Sequence, residues 1–383
     1  MTAGTEKALS SSNAHPTSRG PTPDVRHSRT FRHDVGVRAF SCQSCGRLVS
    51  FESSHCLQCD QELGFDWDAR QLVAMRRAHR RCANDRIAGC NGLVLDDGAH
   101  CASCAMTRTR PADDDRRGLG GFASAEADKR RLLFELGELG LPVVSWREQP
   151  GGLAFDLLSS AWAPVSTGHA NGLVTLDLHE TDSVEREARR RQLDEPYRTV
   201  LGHLRHEIAH YYQPILAPEG TPTREESRRV FGDDREDYQQ AIDRHYAEGP
   251  PDDWERRFVS AYATMHPWED WAETFARYLH IRDTLQTAEA YGLRVDGPQV
   301  ATTDSSPVCS DPRAPAPDLG GLLDAWLRLT YALNAINRSM GAEDLYPFAL
   351  PPVVQRKLAF IDGCVRAAAA SEVVRALQGV ATE

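Results

Sequence analysis

The chain has 383 residues, of which 41% are hydrophobic, so it can bury a substantial core and is expected to divide into two or three units. Its formal net charge of −11 argues against a protein that coats nucleic acid over its whole surface, although a local basic patch is compatible with it. No apolar run approaches the roughly 20 residues that cross a bilayer, and the first residues lack the apolar core of a signal peptide. We therefore expect a cytoplasmic protein without a membrane segment.

Residues 1–37 are rich in Ser, Thr, Pro and Gly and show almost no apolar periodicity, which predicts a disordered tail. Residues 38–110 then hold eight of the ten cysteines. In a chain without an export signal, cysteines at short spacings indicate metal sites in a reducing compartment and not disulfides.

Two sets of four cysteines follow one another in this region. The first set consists of two Cys-x2-Cys pairs with ten residues between them: Cys42, Cys45, Cys56 and Cys59. Two such turns complete a closed tetrahedral shell of thiolates, which predicts a structural zinc. The second set predicts a second structural zinc, with four free cysteines as the alternative: Cys82, Cys90, Cys101 and Cys104.

Between the two sets lies a basic stretch that contains Arg70, Arg76, Arg77, Arg80 and Arg81. Zinc ribbons combined with arginines can bind nucleic acid. A solvated surface explains the same residues, so nucleic-acid binding is kept as an alternative that we do not favour.

We expect a linker at residues 111–123 and an α+β catalytic domain at residues 124–299. Ser124 is the expected N-cap of a helix that begins at the next residue. Residues 153–158 and 169–179 have the apolar and alternating patterns of strands.

Two histidines lie on the second of these predicted strands, His169 and His179. Both could bind a metal, but lone histidines on strands usually do not. We therefore do not choose them as ligands.

The next element is a helix that ends near Pro214 and contains His206-Glu207-Ile208-Ala209-His210. Histidines four residues apart project from one face of a helix, so both imidazoles can bind one Zn²⁺. The carboxylate of Glu207 can take a proton from metal-bound water. The alternative is a pair of histidines on a polar helix face, and His203, one turn earlier, is the local rival ligand.

A later helix begins at Pro267 and carries Glu269 and Glu273 among aromatic residues. A carboxylate in such a place is costly to bury unless it is paired or binds a metal. One of them would complete the two-histidine, one-glutamate set of catalytic zinc sites and leave one position for water. We choose Glu269 as the ligand and Glu273 as the acceptor that orients a ligating histidine, with the reverse assignment as the alternative.

The last part of the chain divides at a stretch rich in Pro, Asp and Ser. Residues 300–318 predict a flexible insertion, and residues 319–383 repeat apolar side chains at helical spacing and predict a helical C-terminal portion. Cys309 and Cys364 have no partner at ligand spacing and are expected to be ordinary thiols.

The two metal motifs together resemble the glutamate-ligand zinc metallopeptidases, because residues 269–275 (EDWAETF) match the second motif of that group. The resemblance implies that its first glutamate, Glu269, is the zinc ligand. From Phe40 to about Arg366 the chain more closely resembles a bacterial family of zinc-ribbon metallopeptidases, through the cysteine pairs, GHLRHEIAHYY, HPWEDWAETFARYLHI and DTLQTA. This resemblance implies a zinc-ribbon module followed by a zincin-like domain, and a reaction class without a substrate.

We therefore predict a zinc metallopeptidase with one catalytic and two structural zinc ions, acting on a protein or peptide. Zinc-activated water attacks the peptide carbonyl, while Glu207 accepts a proton and later delivers it to the leaving amine. The alternatives are a nucleic-acid-associated protein with a protease-like domain and a non-catalytic zinc scaffold. The candidates for stabilising the oxyanion are Tyr211, Tyr262, His266, Tyr278 and His280.

Overall fold

Residues 39–161, 163–182, 199–295, 319–346 and 350–371 are described by the computed structural model, and all belong to the unit Gly36–Glu383. The predicted disordered tail and the predicted flexible insertion lie outside the described residues.

Short antiparallel strand pairs make up the cysteine-rich region. Phe40–Ser41 (β1) pairs with Leu48–Val49 (β2), Leu63–Asp66 (β3) with Gln71–Ala74 (β4), and Arg80–Arg81 (β5) with Leu93–Val94 (β6). Two short helices lie near the second cysteine set, Asp85–Ala88 (α1) and Ala102–Ala105 (α2). Hairpins this small are marginal by themselves, so the region is expected to depend on its cysteine sites for stability.

A four-stranded sheet follows, in the order β7-β8-β10-β9. Its strands are Thr107–Thr109 (β7), Ala154–Leu158 (β8), Gly168–Ala170 (β9) and Leu173–Asp177 (β10). Both β7 and β10 pair parallel to β8, whereas β9 is antiparallel to β10 and forms one edge of the sheet. The other edge strand, β7, comes shortly after Cys104, so the cysteine-rich region continues directly into the sheet.

Long helices form most of the remaining structure. They are Arg116–Glu138 (α3), Val200–Leu216 (α4), Pro222–Phe231 (α5), Tyr238–Glu248 (α6), Pro267–Ala290 (α7), Leu319–Ser339 (α8) and Pro352–Ala370 (α9). Within the described residues, no helix has the length and apolar character needed to span a membrane.

The first long helix begins earlier than the sequence predicts. Asp115 accepts a hydrogen bond from the backbone N–H of Gly118 (2.7 Å), so Asp115 is the N-cap and not Ser124. The helix therefore includes much of the segment predicted as a linker. A Cβ at Gly121 would lie 2.7 Å from Thr181 Oγ1 and 3.2 Å from Leu178 Cβ, so glycine there lets the turn at 178–181 pack against α3.

The metal-motif helix also continues past its predicted end. α4 extends through Pro214 to Leu216, although proline removes a backbone donor from the helix interior. The backbone N–H of Ala217 still bonds to the carbonyl of Gln213 (2.9 Å), so the helical path resumes after the missing bond.

α3 connects two hydrophobic cores. Leu132 belongs to the large core shared with the sheet and with α4, α7, α8 and α9. Phe134 packs instead on the cysteine-rich region, with ring centroids 6.0 Å from Phe40, 5.3 Å from Phe51 and 5.8 Å from Phe65. These spacings are typical of packed aromatic pairs, so the cysteine-rich region rests on the helix that also contacts α4.

Candidate metal centres

The first cysteine set converges as its spacing predicts. The Sγ atoms of Cys42 and Cys59 lie 3.7 Å apart, and those of Cys45 and Cys56 lie 3.6 Å apart. Four thiolates about 2.3 Å from a tetrahedral zinc would be about 3.8 Å from one another, whereas a disulfide would hold two sulfurs about 2.0 Å apart. Gly46 follows the first pair with φ of +72°, which permits the tight turn.

The second set also gathers four sulfur atoms, but in a buried setting. The Sγ atoms of Cys90 and Cys101 are 3.6 Å apart, and the backbone N–H of Cys101 points at Cys82 Sγ (3.3 Å). All four cysteines are buried, whereas Cys45 and Cys59 of the first set are exposed. The nine cysteines in the described residues are free thiols, which fits zinc binding by both sets.

The second set is tied to α3 by buried charges. Cys104 Sγ lies 3.5 Å from the carboxylate of Glu126, which also pairs with the ammonium of Lys129 (2.6 Å). The side chains of Glu126 and Lys129 are fully buried. The ammonium is therefore close to the thiolates and offsets part of their negative charge.

The histidine site is built from α4 and α7. The Nε2 atoms of His206 and His210 lie 3.2 Å apart, and Glu269 Oε2 lies 3.0 Å from the first and 3.5 Å from the second. Donors about 2.0–2.1 Å from a tetrahedral zinc would be about 3.3 Å from one another. The three atoms are thus spaced as ligands of one ion.

Proton placement supports the same interpretation. Glu273 Oε1 lies 2.7 Å from His206 Nδ1, so Nδ1 carries a proton, and in the neutral form that binds a metal Nε2 would present its lone pair. Glu269 Oε2 is buried and accepts no hydrogen bond from the described residues. Converging lone pairs around a buried carboxylate repel one another unless a cation lies among them, so the donor set fits Zn²⁺. In the structure, Glu269 lies among the candidate donors and Glu273 contacts His206 Nδ1. Their roles as ligand and as orienting acceptor stay predictions.

Glu207 lies beside these donors without joining them. His203 Nε2 is 3.2 Å from Glu207 Oε1, and His203 Nδ1 is 2.6 Å from Glu180 Oε2. Burial acts to lower the pKa of His203, but the hydrogen bonds to Glu180 and Glu207 outweigh it and raise the pKa to about 9. The imidazolium donates to both carboxylates, so His203 holds the Glu207 carboxylate in place. His203 is not one of the converging donors, which are His206, His210 and Glu269.

Tyr238 is a site residue that the sequence analysis did not identify. Its hydroxyl donates to Glu269 Oε1 (2.8 Å), which leaves Oε2 for the two histidines. It belongs to α6, in a stretch whose only visible signal was its acidic and partly helical character. The contact depends on how α6 packs beside α7.

The candidates for stabilising the oxyanion separate by position. Tyr278 donates to Asp362 Oδ1 in the core (2.9 Å), and His280 packs against Trp326 on α8. His266 caps α7 by accepting a hydrogen bond from the backbone N–H of Trp268. Tyr262 lies next to the metal donors, with its ring centroid 5.9 Å from that of His206. Tyr211 contacts the ring of His169.

His169 on β9 also comes close to the histidine site. Its ring lies nearly parallel to that of His210, with centroids 6.4 Å apart, and its Nε2 accepts a hydrogen bond from the backbone N–H of Gly172 (3.1 Å). Burial and the nearby His210 lower its pKa to about 4. His169 is therefore a neutral neighbour of the site and not one of the converging donors.

The basic stretch divides between structural and exposed residues. Arg70 donates to the carbonyl of Gly137, and Arg81 donates to the carbonyls of Leu63 and Ser54. Arg76 and Arg77 are exposed. Arg80 is also exposed and pairs with Asp97 (2.9 Å), so three of the five arginines remain at the surface.

Comparisons with known proteins relate both parts of the chain to families. Residues 119–364 match the model of a family described as "Putative zinc-binding metallo-peptidase", and residues 39–115 match the model of a zinc-ribbon domain. Relatives include uncharacterized proteins of Mycobacterium tuberculosis and Mycobacterium bovis, each 49% identical over 330 residues. These matches cover 85% of this chain and 94% of each relative.

No solved structure matches the chain at a significant level. The predicted resemblance and the predicted order, a zinc ribbon followed by a metallopeptidase domain in an α+β fold, are confirmed by the family matches.

Proposed function

Because the chain belongs to the family of zinc-binding metallo-peptidases, we propose that it is a zinc-dependent hydrolase of peptide bonds. The histidine site would hold the catalytic zinc, and each four-cysteine set would hold a structural zinc. The assignment of the residues to these roles is part of the proposal.

One observation carries the proposal. His206, His210 and Glu269 bring three donor atoms together, while the carboxylate of Glu207 lies beside them and is held by His203. Three protein ligands leave a zinc coordination position open, as catalytic sites require, whereas four thiolates close it. A purely structural site has no need of a separately held carboxylate.

Zinc, when bound, would polarise a substrate carbonyl and lower the pKa of a coordinated water. Glu207 would take the proton released from water and hold it at its carboxylate. His203 would orient that carboxylate, and Glu207 would then return the proton to the leaving amine as the peptide bond breaks. Burial acts to raise the pKa of Glu207, but the hydrogen bond from His203 helps to lower it below its ordinary value, so the carboxylate starts as the proton-accepting form.

The sheet offers a binding edge for the substrate. β9 pairs with β10 on one side only among the described strands, and it contacts the metal-motif helix α4. An extended peptide can add to such an edge through backbone hydrogen bonds. A peptide held there would lie beside the histidine site.

Glu207→Gln tests the proposal, because it removes the base and leaves the three donors in place. We expect full zinc content and a loss of peptide hydrolysis of about 10²–10⁴-fold, measured with a broad peptide library. Glu226→Gln, an exposed glutamate on α5, is the matched control and should retain activity. Near wild-type turnover by Glu207→Gln would refute the mechanism, and a wild-type protein that binds zinc without cleaving any peptide would support a scaffold.

A further inference from the structure

Five aromatic side chains form two rows of ring contacts beside the candidate ligands. We define them as the aromatic wall: Tyr238, His245, Tyr246, Tyr262 and Trp268. The first row begins at His210, whose ring centroid is 4.7 Å from that of Trp268, and the ring centroid of Trp268 is 5.7 Å from that of Tyr238.

The second row begins at His206 and leads away from the site. The ring centroid of Tyr262 is 5.9 Å from that of His206, His245 is 6.3 Å from Tyr262, and Tyr246 is 5.7 Å from His245. The wall thus consists of two rows of ring contacts, one from His210 to Tyr238 and one from His206 to the exposed Tyr246.

The exposure of the wall distinguishes it from the core. None of its five members is buried, and Tyr246 is 75% exposed. On the same helix as Trp268, Trp271 and Phe275 are completely buried. Several large aromatic groups that stay accessible beside one site mark a binding surface more often than a folding core, and ligand sites are lined mainly by apolar and aromatic groups.

The chemistry of the wall indicates what it binds. It comprises three phenol rings, one indole and one imidazole, and Tyr238 within it donates to a carboxylate of the candidate site, Glu269 Oε1. A phenyl or large aliphatic side chain gains contact area and edge-to-face ring contacts there. An acidic side chain would gain neither and would approach Glu269, whose carboxylate already bonds to Tyr238.

We propose that the aromatic wall receives a large apolar, preferably aromatic, side chain of the substrate next to the bond that is cleaved. This inference rests on the proposed function for the identity of the ligand as a peptide. The wall adds selectivity to a backbone-binding edge that does not distinguish side chains. Its residues come from α6, the turn at 262–264 and the first turn of α7.

A binding experiment tests the wall without requiring catalysis. Phenylalanine hydroxamate and glycine hydroxamate share the same zinc-chelating group and differ in the side chain. We expect the zinc-loaded full-length chain to bind the phenylalanine compound at least about 10-fold more tightly, measured by calorimetry. Tyr246→Ala and Tyr262→Ala should each reduce that ratio about 3-fold or more while the zinc content stays unchanged.

Tyr331→Ala is the matched control, because Tyr331 is 71% exposed on α8 and lies outside the wall. Tyr246 is exposed, so its truncation leaves the fold intact even if Tyr262→Ala does not fold. Equal affinities for the two hydroxamates, or a ratio that Tyr246→Ala leaves unchanged, would overturn the proposal.

A second arm separates the wall from the hydrolase. Matched peptides with Phe or Ala beside the cleaved bond should differ in kcat/KM by about 10-fold or more, and Tyr246→Ala should reduce that difference. Selective hydroxamate binding without cleavage of any peptide would refute the hydrolase and support the wall. Cleavage without a preference for Phe would support the hydrolase and refute the wall.

Discussion

The two glutamates of α7 make the sharpest test of the histidine site. Glu269→Gln replaces an anionic oxygen by a neutral, weaker donor at the point where Oε2 lies 3.0 Å and 3.5 Å from the two Nε2 atoms. Glu273→Gln changes only the acceptor that lies 2.7 Å from His206 Nδ1. Both changes keep the size of the side chain, so each isolates the effect of charge.

The structure predicts different losses of zinc affinity for the two substitutions. Loss of an acceptor that orients a ligating histidine reduces metal affinity roughly 10–100-fold. A unit charge about 4 Å from another at an effective dielectric constant of about 20 contributes about 4 kcal/mol, or roughly 10³-fold. Glu269 lies among the donor atoms themselves, so we expect a loss of at least about 10³-fold for Glu269→Gln.

Competition with a chromogenic chelator measures zinc affinity at the histidine site while the cysteine sites stay loaded. Glu226→Gln on α5 is the control for a general effect of losing one carboxylate. Equal losses for the two variants would show that both carboxylates reach the metal. A larger loss for Glu273→Gln would give the ligand role to Glu273 and refute the assignment.

Two further predictions follow from the geometry. Purified protein should hold three zinc ions per chain, and a total of one zinc per chain would contradict this prediction. A thiol reagent should release the zinc of the first cysteine set before that of the second, because Cys45 and Cys59 are exposed whereas the second set is buried. Lys357→Met should lower the free energy of unfolding, measured with urea, by about 3–5 kcal/mol, because it removes the buried partner of Asp270, which lies 2.6 Å from Lys357 Nζ. Replacing Asp270 by Leu in the same chain should restore most of that stability. Burial raises the pKa of Asp270, and the Lys357 ammonium acts against that rise, so Lys357→Met should raise the pKa further and its cost should increase from pH 5 to pH 8 as the carboxylate loses its proton. The exposed pair formed by Arg338 and Asp344 is the control, and its loss should cost no more than about 1 kcal/mol.

The lysines show how composition can hide structural roles. Only three occur in the chain, Lys7, Lys129 and Lys357. The two that the structure describes both lie buried in ion pairs, Lys129 beside the second cysteine set and Lys357 behind α7. Residue counts alone contain no information about such partners, because each pairing depends on long-range packing.

Most of what the sequence indicates about the metal centres follows from the spacing of neighbouring residues. Cys-x2-Cys turns bring two sulfurs together, and histidines four residues apart share a helix face, because both arrangements depend on covalent distance and backbone geometry alone. Spacing alone does not identify the third donor, since Glu269 and Glu273 share one face of the helix. Resemblance to a family favoured Glu269 before any packing was known.

Only the tertiary structure decided how distant segments meet. The sequence predicts the N-cap of α3 at Ser124, whereas the structure places it at Asp115, and the turn at 178–181 packs against α3 at Gly121. Tyr238 and the aromatic wall depend on the packing of α6 against α7, which no periodicity within either helix encodes. The sequence by itself thus determined the order of the modules and predicted the donor residues, whereas three-dimensional packing determined which carboxylate oxygen lies among the candidate donors, what holds Glu207 and what surrounds the site.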